Sequence, residues 1–360
     1  MTTKTKLVML LLTVSAGFMF SCNEGQPKTE TTVGESSNQV VESSNKVVTP
    51  ENFIRAETDR MFFSFSRLAG EINKFYHFKD LVPLDNQTAI RMNRDVLYSA
   101  TIVDVEKGAT VTFPEIPKGR YASIFLVDND HYCPLVIYKP GTYKLPQDTK
   151  YLGLGVRIQI FNPEDPAEIA LVNKLQDQFT VESNSADEIA KPTWDKVSLD
   201  SLRTAYNTEF SKFDTYPDDW MGPRGKVNEQ TRHLAAAGAW GLFPNKDAAY
   251  INYNGGNLSG DKCYEATYKK PDVGAFWSFT IYGNDGFLKS TNSVVNASNV
   301  KYNKDGKTFT IHFGAKDKCP TNAKNRVDIS DGWNFLVRAY LPGESVLNRT
   351  YKLPDVTEVK

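Results

Sequence analysis

The sequence predicts a mainly β protein, in which two antiparallel β-sandwiches are separated by an inserted helical subdomain. Residues 81–165 and residues 246–360 consist of short segments in which apolar and polar residues alternate, separated by Gly, Pro and Asn. This period of two is typical of antiparallel strands joined by turns. In residues 166–245 the apolar residues recur at helical spacing instead. Helices between two β regions predict a helical layer that packs on the sheets.

The first 48 residues are predicted to lie outside the folded core. Residues 1–22 resemble a lipoprotein-type signal peptide, with two lysines, an apolar run over residues 7–20 and then Cys22, which would become the lipidated residue. Residues 23–48 are rich in Ser, Thr, Glu and Gln and contain no aromatic residue, which predicts a disordered tether. The alternative is a plain secretory signal with an incidental Cys22.

Both interpretations of the N-terminus place the mature chain outside the cytoplasm. The apolar run is shorter than an ordinary membrane-spanning helix, so the sequence predicts contact with a membrane through a lipid anchor only. The expected location is the cell envelope, at the outer membrane or on the periplasmic face.

Helical patterns begin directly after the tether. Residues 49–80 are predicted to form an N-terminal helix with Thr49 as its N-cap and Pro50 at the first helical position. Its apolar stripe consists of Met61, Phe65, Leu68, Ile72 and Phe75. Further helices are predicted over residues 163–181, 198–213 and 225–242.

Composition and cysteine usage narrow the classes of function. The net charge is −1, so the chain has no basic field that would attract nucleic acid. Cys133, Cys263 and Cys319 remain after the signal, which permits one disulfide and one free thiol in an exported protein. Cys263 with Cys319 is the favoured pair because both lie in the C-terminal half, and three reduced cysteines are the alternative. The chain has no zinc-type Cys/His spacing, so we predict no metal and no cofactor.

Polar residues cluster at the ends of two predicted strands in the first β region. Residues 93–95 precede one strand, and residues 128–131 follow a strand over residues 120–127 that is apolar on both faces. A strand with two apolar faces is expected in the middle of a sandwich. Binding and catalytic side chains are often placed on the loops at strand ends.

Several motifs in this region resemble a known bacterial family. M-N-R-D-V-L-Y-S at residues 92–99, P-K-G-R-Y at 117–121 and the following Asp128 resemble domain of unknown function 1254. F-W-S-F-T-I-Y at 276–282 and R-A-Y-L-P at 338–342 resemble its usual partner, domain of unknown function 1214. The resemblance implies an immunoglobulin-like sandwich followed by a jelly-roll-like sandwich. Before the last strand this chain departs from the Asn-Trp-Leu-Pro stretch of many members, so no role of that loop is carried over.

The candidate catalytic residues are Asp95, Asp128 and His131. Two carboxylates within a few Å perturb each other's pKa and can divide the roles of acid and base. His131 adjoins Asp128 at a strand end, so it is the favoured base. The alternative is structural: an internal ion pair between Arg94 and Asp95 would lock one loop, and residues 128–131 would be ordinary turn residues.

The candidate ligand-binding residues are Asn93, Arg94, Arg120, Trp277 and Arg338. The planar fork of Arg94 or Arg120 would suit an anionic substrate group, and Arg157 would suit it equally well. Trp277 lies on an apolar strand, so core packing is the alternative to a platform for carbohydrate.

The sequence therefore favours a lipid-anchored envelope protein that binds a small molecule or a glycan at sandwich end loops or at the seam between the domains. A hydrolase or lyase that uses Asp95, Asp128 or His131 with Arg94 is the alternative. A purely structural lipoprotein is a third hypothesis and would need a large exposed apolar patch. No nucleic-acid partner is expected, and the sequence leaves homo-oligomerisation and enzymatic activity open.

Overall fold

The computed structural model describes residues 45–87, 90–213 and 215–360. The predicted signal peptide, the proposed lipidation site Cys22 and nearly all of the predicted tether lie outside these residues. Strands outweigh helices and the sheets are almost entirely antiparallel, so the predicted mainly β fold is confirmed.

The first sandwich contains eight strands in two sheets. Five strands form one sheet in the order β1-β2-β7-β4-β5, and three form the other in the order β6-β3-β8. The strands are β1 Tyr76–His77, β2 Val96–Asp104, β3 Ala109–Phe113, β4 Ala122–Asp128, β5 Val136–Ile137, β6 Gly141–Lys144, β7 Tyr151–Gln159 and β8 Thr180–Ser183. Because β8 pairs with β3, the first sandwich extends beyond the predicted limit at residue 165, and that boundary is wrong.

The second sandwich contains eight strands in two sheets of four. The sheets have the orders β14-β13-β10-β16 and β12-β11-β15-β9, and aromatic rings from both fill the space between them. The strands are β9 Ala248–Asn254, β10 Tyr264–Lys269, β11 Trp277–Tyr282, β12 Val294–Asn296, β13 Thr308–Phe313, β14 Arg326–Val327, β15 Asn334–Tyr340 and β16 Thr357–Glu358. A disulfide joins Cys263 to Cys319, which confirms the favoured pairing, and Cys133 is a buried free thiol.

The helices are shorter than the sequence predicted. They are α1 Phe53–Ser66, α2 Pro166–Gln176, α3 Lys196–Phe210, α4 His233–Gly238 and α5 Glu344–Leu347. The predicted N-cap is wrong: Asn52 holds that position, because Thr49 and Pro50 lie in a turn in which the Thr49 N–H donates to Asn52 Oδ1 at 2.9 Å. In the described chain no helix combines the length and apolar character needed to span a membrane.

Strand β4 shows how the first sandwich is positioned against the rest of the chain. All of its residues are buried, as its two apolar faces predicted. Ala122, Ile124 and Leu126 pack inside the first sandwich, whereas Phe125 and Val127 face a second core. That second core also contains side chains of α1 and of the second sandwich. The outer face of the five-stranded sheet is therefore covered, and the seam between the domains runs along it.

Candidate functional site

The predicted carboxylate pair is not formed. β2 and β4 both run antiparallel to β7, which lies between them, so β2 and β4 point in the same direction. Asp95 precedes β2 beside Ile160, whereas Asp128 ends β4 opposite Leu152. Eight steps along the chain, from Leu152 to Ile160, separate these positions, which corresponds to about 25 Å. Asp95 and Asp128 therefore lie at opposite ends of the sheet and cannot act on one substrate group.

Asp95 instead connects the two sandwiches. Its carboxylate Oδ1 accepts a hydrogen bond from Asn296 Nδ2 of β12 at 2.8 Å, and its backbone N–H donates to Asn93 Oδ1 at 2.7 Å. Burial raises the pKa of Asp95, and hydrogen bonds from Ser278 and Asn296 oppose that shift. The residue is buried at the seam, so the catalytic role predicted for Asp95 is wrong.

Asp128 belongs to a turn that is held by backbone and arginine contacts. Its Oδ1 accepts the backbone N–H groups of Asp130 and Tyr132, each at 2.9 Å. Arg224 donates to Asp128 Oδ2 at 3.1 Å and to Asp130 Oδ2 at 3.0 Å. These contacts are the turn chemistry that the sequence allowed as the alternative, and they leave Asp128 no free face for catalysis.

His131 is a buried structural residue and not a base. Its Nε2 accepts the backbone N–H of Gly241 at 3.0 Å, so the imidazole proton must lie on Nδ1. The ring packs against Trp240, with 5.6 Å between the ring centroids. Burial, assisted by the charge of Arg232, lowers the pKa of His131 to about 3. A neutral ring whose acceptor nitrogen is already bonded cannot take a proton from a substrate, so this prediction is also wrong.

The depressed pKa of His131 predicts acid sensitivity. Below pH 6.5, the ordinary pKa of histidine, the unfolded chain binds a proton at residue 131 that the folded chain does not bind. Stability is therefore lost as pH falls from 6.5 towards 3. The limiting slope is about 1.4 kcal/mol per pH unit. His131→Asn is the test variant, because asparagine tolerates the positive φ of residue 131 and its side chain does not titrate. Urea unfolding should show a shallower pH dependence for the variant, and parallel curves for the two proteins would contradict the assignment.

The predicted ligand-binding arginines are occupied by partners within the chain. Arg120 forms a two-pronged ion pair with Glu168 at 2.8 and 3.0 Å, and its guanidinium lies over Phe161. Arg94 donates to the backbone oxygen of Val82 at 2.9 Å and has no ion pair with Asp95. Arg120 is therefore not available to hold a substrate group, and Arg94 is buried as well as bonded to the backbone.

The other three predicted ligand-binding residues are also part of the core. Arg338 donates to Thr280, Tyr282 and the backbone oxygen of Arg91 at 2.9, 2.8 and 2.6 Å. The Asn93 side chain donates to the Tyr340 hydroxyl at 2.8 Å. Trp277 is fully buried and stacks on Phe309 with 4.8 Å between centroids, so it is not a carbohydrate platform.

Three partly accessible residues, Tyr98, Gly155 and Arg157, lie on the seam-facing side of the five-stranded sheet. Arg157 of β7 stands between Tyr98 of β2 and Ser123 of β4, its directly paired neighbours. Two residues earlier on the same face is Gly155, and no atom lies within 4 Å of the place where its Cβ would be. A central strand residue without a side chain and without a neighbour above it leaves an open space in the layer.

We call this space the seam pocket and define it by Gly155, Arg157, Tyr98, Phe125 and Phe243. Phe243 stacks on Phe125 with 4.9 Å between centroids and covers the Arg157 guanidinium at 4.0 Å. Gly155, Arg157 and Tyr98 remain partly accessible to solvent although they lie in the middle of a covered sheet. The seam pocket is thus an aromatic space with one cation in its wall.

A cleft of about 440 Å³ adjoins the seam pocket. It runs along all seven residues of β9 and between residues 215–218 and the C-terminal segment 346–355. Phe243 and Tyr250 line the cleft, and both also contact Arg157. The seam pocket and the cleft therefore share a wall, and the cleft has the volume of a small-molecule site.

A second, more open pocket lies at the end loops of the second sandwich. Its lining is polar and includes Asn254, Asn257, Ser259, Asn284 and Asp331. The Asp331 carboxylate already accepts the backbone N–H of Gly260 at 2.7 Å. The sequence predicted binding either at end loops or at the seam, and a pocket is present at both places. Only the pocket at the seam contains a cation that has no acidic partner.

One group of carboxylates could in principle hold a metal ion. Asp104, Glu106 and Asp187 lie close together beside the end of β2. The Lys150 ammonium is 3.1 Å from Glu106 and 2.6 Å from Asp187, and Asp104 accepts the backbone N–H groups of Glu106 and Asp187. The lysine and these amides supply the positive charge that an ion would provide, so we assign the group to loop structure.

The fold and the pocket together define a two-sandwich protein with a cationic, aromatic pocket at its seam. Residues 72–140 match the family model described as protein of unknown function (DUF1254). Residues 247–344 match the model described as protein of unknown function (DUF1214). The chain therefore matches both regions in this order, which confirms the resemblance seen in the motifs.

Two solved structures are similar over most of the chain. A protein from Vibrio parahaemolyticus has a TM-score of 0.67 at 17% identity, covering 86% of this chain and 97% of that protein. An uncharacterised protein from Burkholderia cenocepacia has a TM-score of 0.50 at 15% identity, covering 86% and 87%. These similarities extend to the fold alone. No curated protein matches the chain.

Proposed function

We propose that this protein is a lipid-anchored protein of the cell envelope that binds a small molecule in the seam pocket. The observation that carries the proposal is the open space above Gly155, next to the partly accessible Arg157 in the middle of the five-stranded sheet. Sites for small molecules are typically concave, largely apolar and placed between domains, with a few polar groups that orient the ligand. The aromatic walls and Arg157 fit that description.

The proposed location rests on the N-terminal pattern and on the cysteines. Residues 1–22 combine a basic start, an apolar run and Cys22, as lipoprotein signals do. The disulfide between Cys263 and Cys319 supports an oxidising compartment, because such bonds are rare in the cytosol. Radiolabelled palmitate incorporation that is abolished in Cys22→Ala would support the anchor. Equal labelling of both proteins, or none of either, would contradict it.

A matched pair of glycine variants tests the pocket. In Gly155→Val the new side chain enters open space, so we expect equal or higher stability together with loss of ligand binding. In Gly153→Val the new Cβ would lie 2.9 Å from Phe62 and 3.0 Å from Val127, so we expect a loss of about 1–3 kcal/mol from overpacking. Urea unfolding measures both effects.

Ligand binding is tested by thermal-shift screening of the wild-type protein against small organic acids, amines, alcohols and sugars. The compounds that stabilise the protein are then titrated. These compounds should lose their effect in Gly155→Val. Compounds that stabilise both proteins equally would bind elsewhere, and a wild-type protein that responds to nothing in the panel would count against the proposal.

A further inference from the structure

Arg157 differs from the other deeply placed arginines of the described chain. Arg120 is neutralised by Glu168, and Arg338 donates to three oxygen acceptors. Arg157 has no ion pair with any described carboxylate. The titratable groups that interact with it are tyrosines, and the Tyr250 hydroxyl lies within hydrogen-bonding reach. Arg157 is also partly accessible to solvent, whereas Arg338 is buried and bonded to three oxygens, so Arg157 keeps donors that a ligand can use.

The surroundings of Arg157 keep it charged and leave its donors available. Burial acts to lower the pKa of Arg157, but interaction with Tyr250, Tyr98 and Tyr340 outweighs it and the net shift is upward. Phe243 covers the guanidinium at 4.0 Å and Tyr98 approaches it at 5.6 Å. A ring over the guanidinium contacts its face, whereas hydrogen bonds leave from its edge. One tyrosine hydroxyl cannot use all five N–H donors.

The missing partner of Arg157 can be described by its chemistry. A single cation in an otherwise uncharged wall matches an anion with one negative charge. The planar fork of guanidinium matches the planar oxygens of a carboxylate in a two-pronged contact. Beside this fork is the gap above Gly155, whose paired neighbour Phe125 carries the stacked ring of Phe243, and this apolar flank suits a flat apolar body. A phosphate dianion would remain half neutralised.

We infer that the ligand of the seam pocket is a monocarboxylic acid with an apolar, preferably aromatic, body, whose carboxylate binds the edge of Arg157 and whose body fills the space above Gly155. This inference rests on the small-molecule function proposed above and adds the class of ligand. It assigns Arg157 to recognition and Gly155 to the shape of the site.

The test compares acids with their neutral counterparts by isothermal titration calorimetry on the full folded chain. The probes are phenylacetate, benzoate and hexanoate, their primary amides, and inorganic phosphate. We expect the acids to bind at least about tenfold more tightly than the amides, the scale of one charge-assisted hydrogen bond. Arg157→Gln should weaken the acids by about 10–100-fold and leave the amides unchanged, and Arg157→Lys should fall between because it keeps the charge and loses the fork.

The control variant is Arg67→Gln, which removes an exposed arginine away from the pocket and should bind every probe as the wild-type protein does. Amides that bind as tightly as acids, or acids that bind Arg157→Gln unchanged, would overturn the inference while the proposed pocket survives. Phosphate as the tightest ligand would also overturn it. If none of the probes binds the wild-type protein, the inference falls as well, and the broader screen with Gly155→Val then decides whether the proposed function falls with it.

Discussion

Replacing Cys263 and Cys319 together by serine is expected to lower the free energy of unfolding by about 4 kcal/mol. The disulfide closes a loop with a sequence separation of 56 residues, and a cross-link of that span removes chain entropy of this size from the unfolded state. Both cysteines are buried in the second sandwich. The midpoint of urea unfolding of the double variant, compared with the oxidised wild-type protein, measures the effect.

Two controls separate the cross-link from the packing of the thiols. Treatment of the wild-type protein with a reductant should reproduce most of the loss, because the side chains then stay in place. Cys133→Ala removes the free buried thiol, and this variant should remain as sensitive to the reductant as the wild-type protein. An unchanged midpoint after confirmed reduction would show that the disulfide contributes no stability.

Arg120→Ala is expected to lower the free energy of unfolding by about 3–5 kcal/mol. The substitution removes both prongs of the ion pair with Glu168 and leaves that carboxylate largely buried, with 11% of its side chain exposed. Glu168 also accepts the backbone N–H of Phe161 at 2.7 Å, so it cannot easily move into solvent. Chemical unfolding near pH 7 measures the loss.

The double variant Arg120→Met with Glu168→Leu should recover much of that stability, because no charge is then left unpaired. The exposed pair of Lys74 with Glu71 is the matched control, and Lys74→Ala should leave the midpoint of unfolding almost unchanged. If Arg120→Ala kept full stability and lost ligand binding instead, Arg120 would be the recognition residue that the sequence first suggested.

The sequence predicted those features of the fold that depend on local alternation. Both apolar faces of β4 were visible in residues 120–127, and the structure places one inside the first sandwich and the other at the seam. The pairing of Cys263 with Cys319 followed from their positions in one half of the chain. The extent of the first sandwich could not be predicted in this way. β8 pairs with β3 after an intervening helix, and local alternation carries no information about which strands pair.

The predicted catalytic site failed because strand order is not local information. Asp95 comes just before β2 and Asp128 ends β4, and the sequence pattern predicts that both lie in end loops that meet. β7, which follows both strands in the sequence, inserts between them, so that β2 and β4 run in the same direction. The start of β2 and the end of β4 then lie at opposite edges of the sheet.

The seam pocket was missed for a different reason. Arg157 was recognised as one of several arginines that could hold an anion, but nothing in its neighbourhood along the chain distinguishes it from Arg120. The distinction is that Arg120 meets Glu168 and Arg157 meets only aromatic rings and hydroxyls. A usable signal was present in residues 151–159, where Gly153, Gly155 and Arg157 share one face of an otherwise apolar strand.

The most direct measurement of the central claim is a crystal of the protein soaked with para-bromophenylacetate, with anomalous scattering used to locate the bromine. The account predicts a single dominant bromine peak above Gly155, beside the stacked rings of Phe125 and Phe243, with the carboxylate on the edge of Arg157. Bromine found only on the outer surface or at the end loops of the second sandwich, with the space above Gly155 left to water, would contradict it.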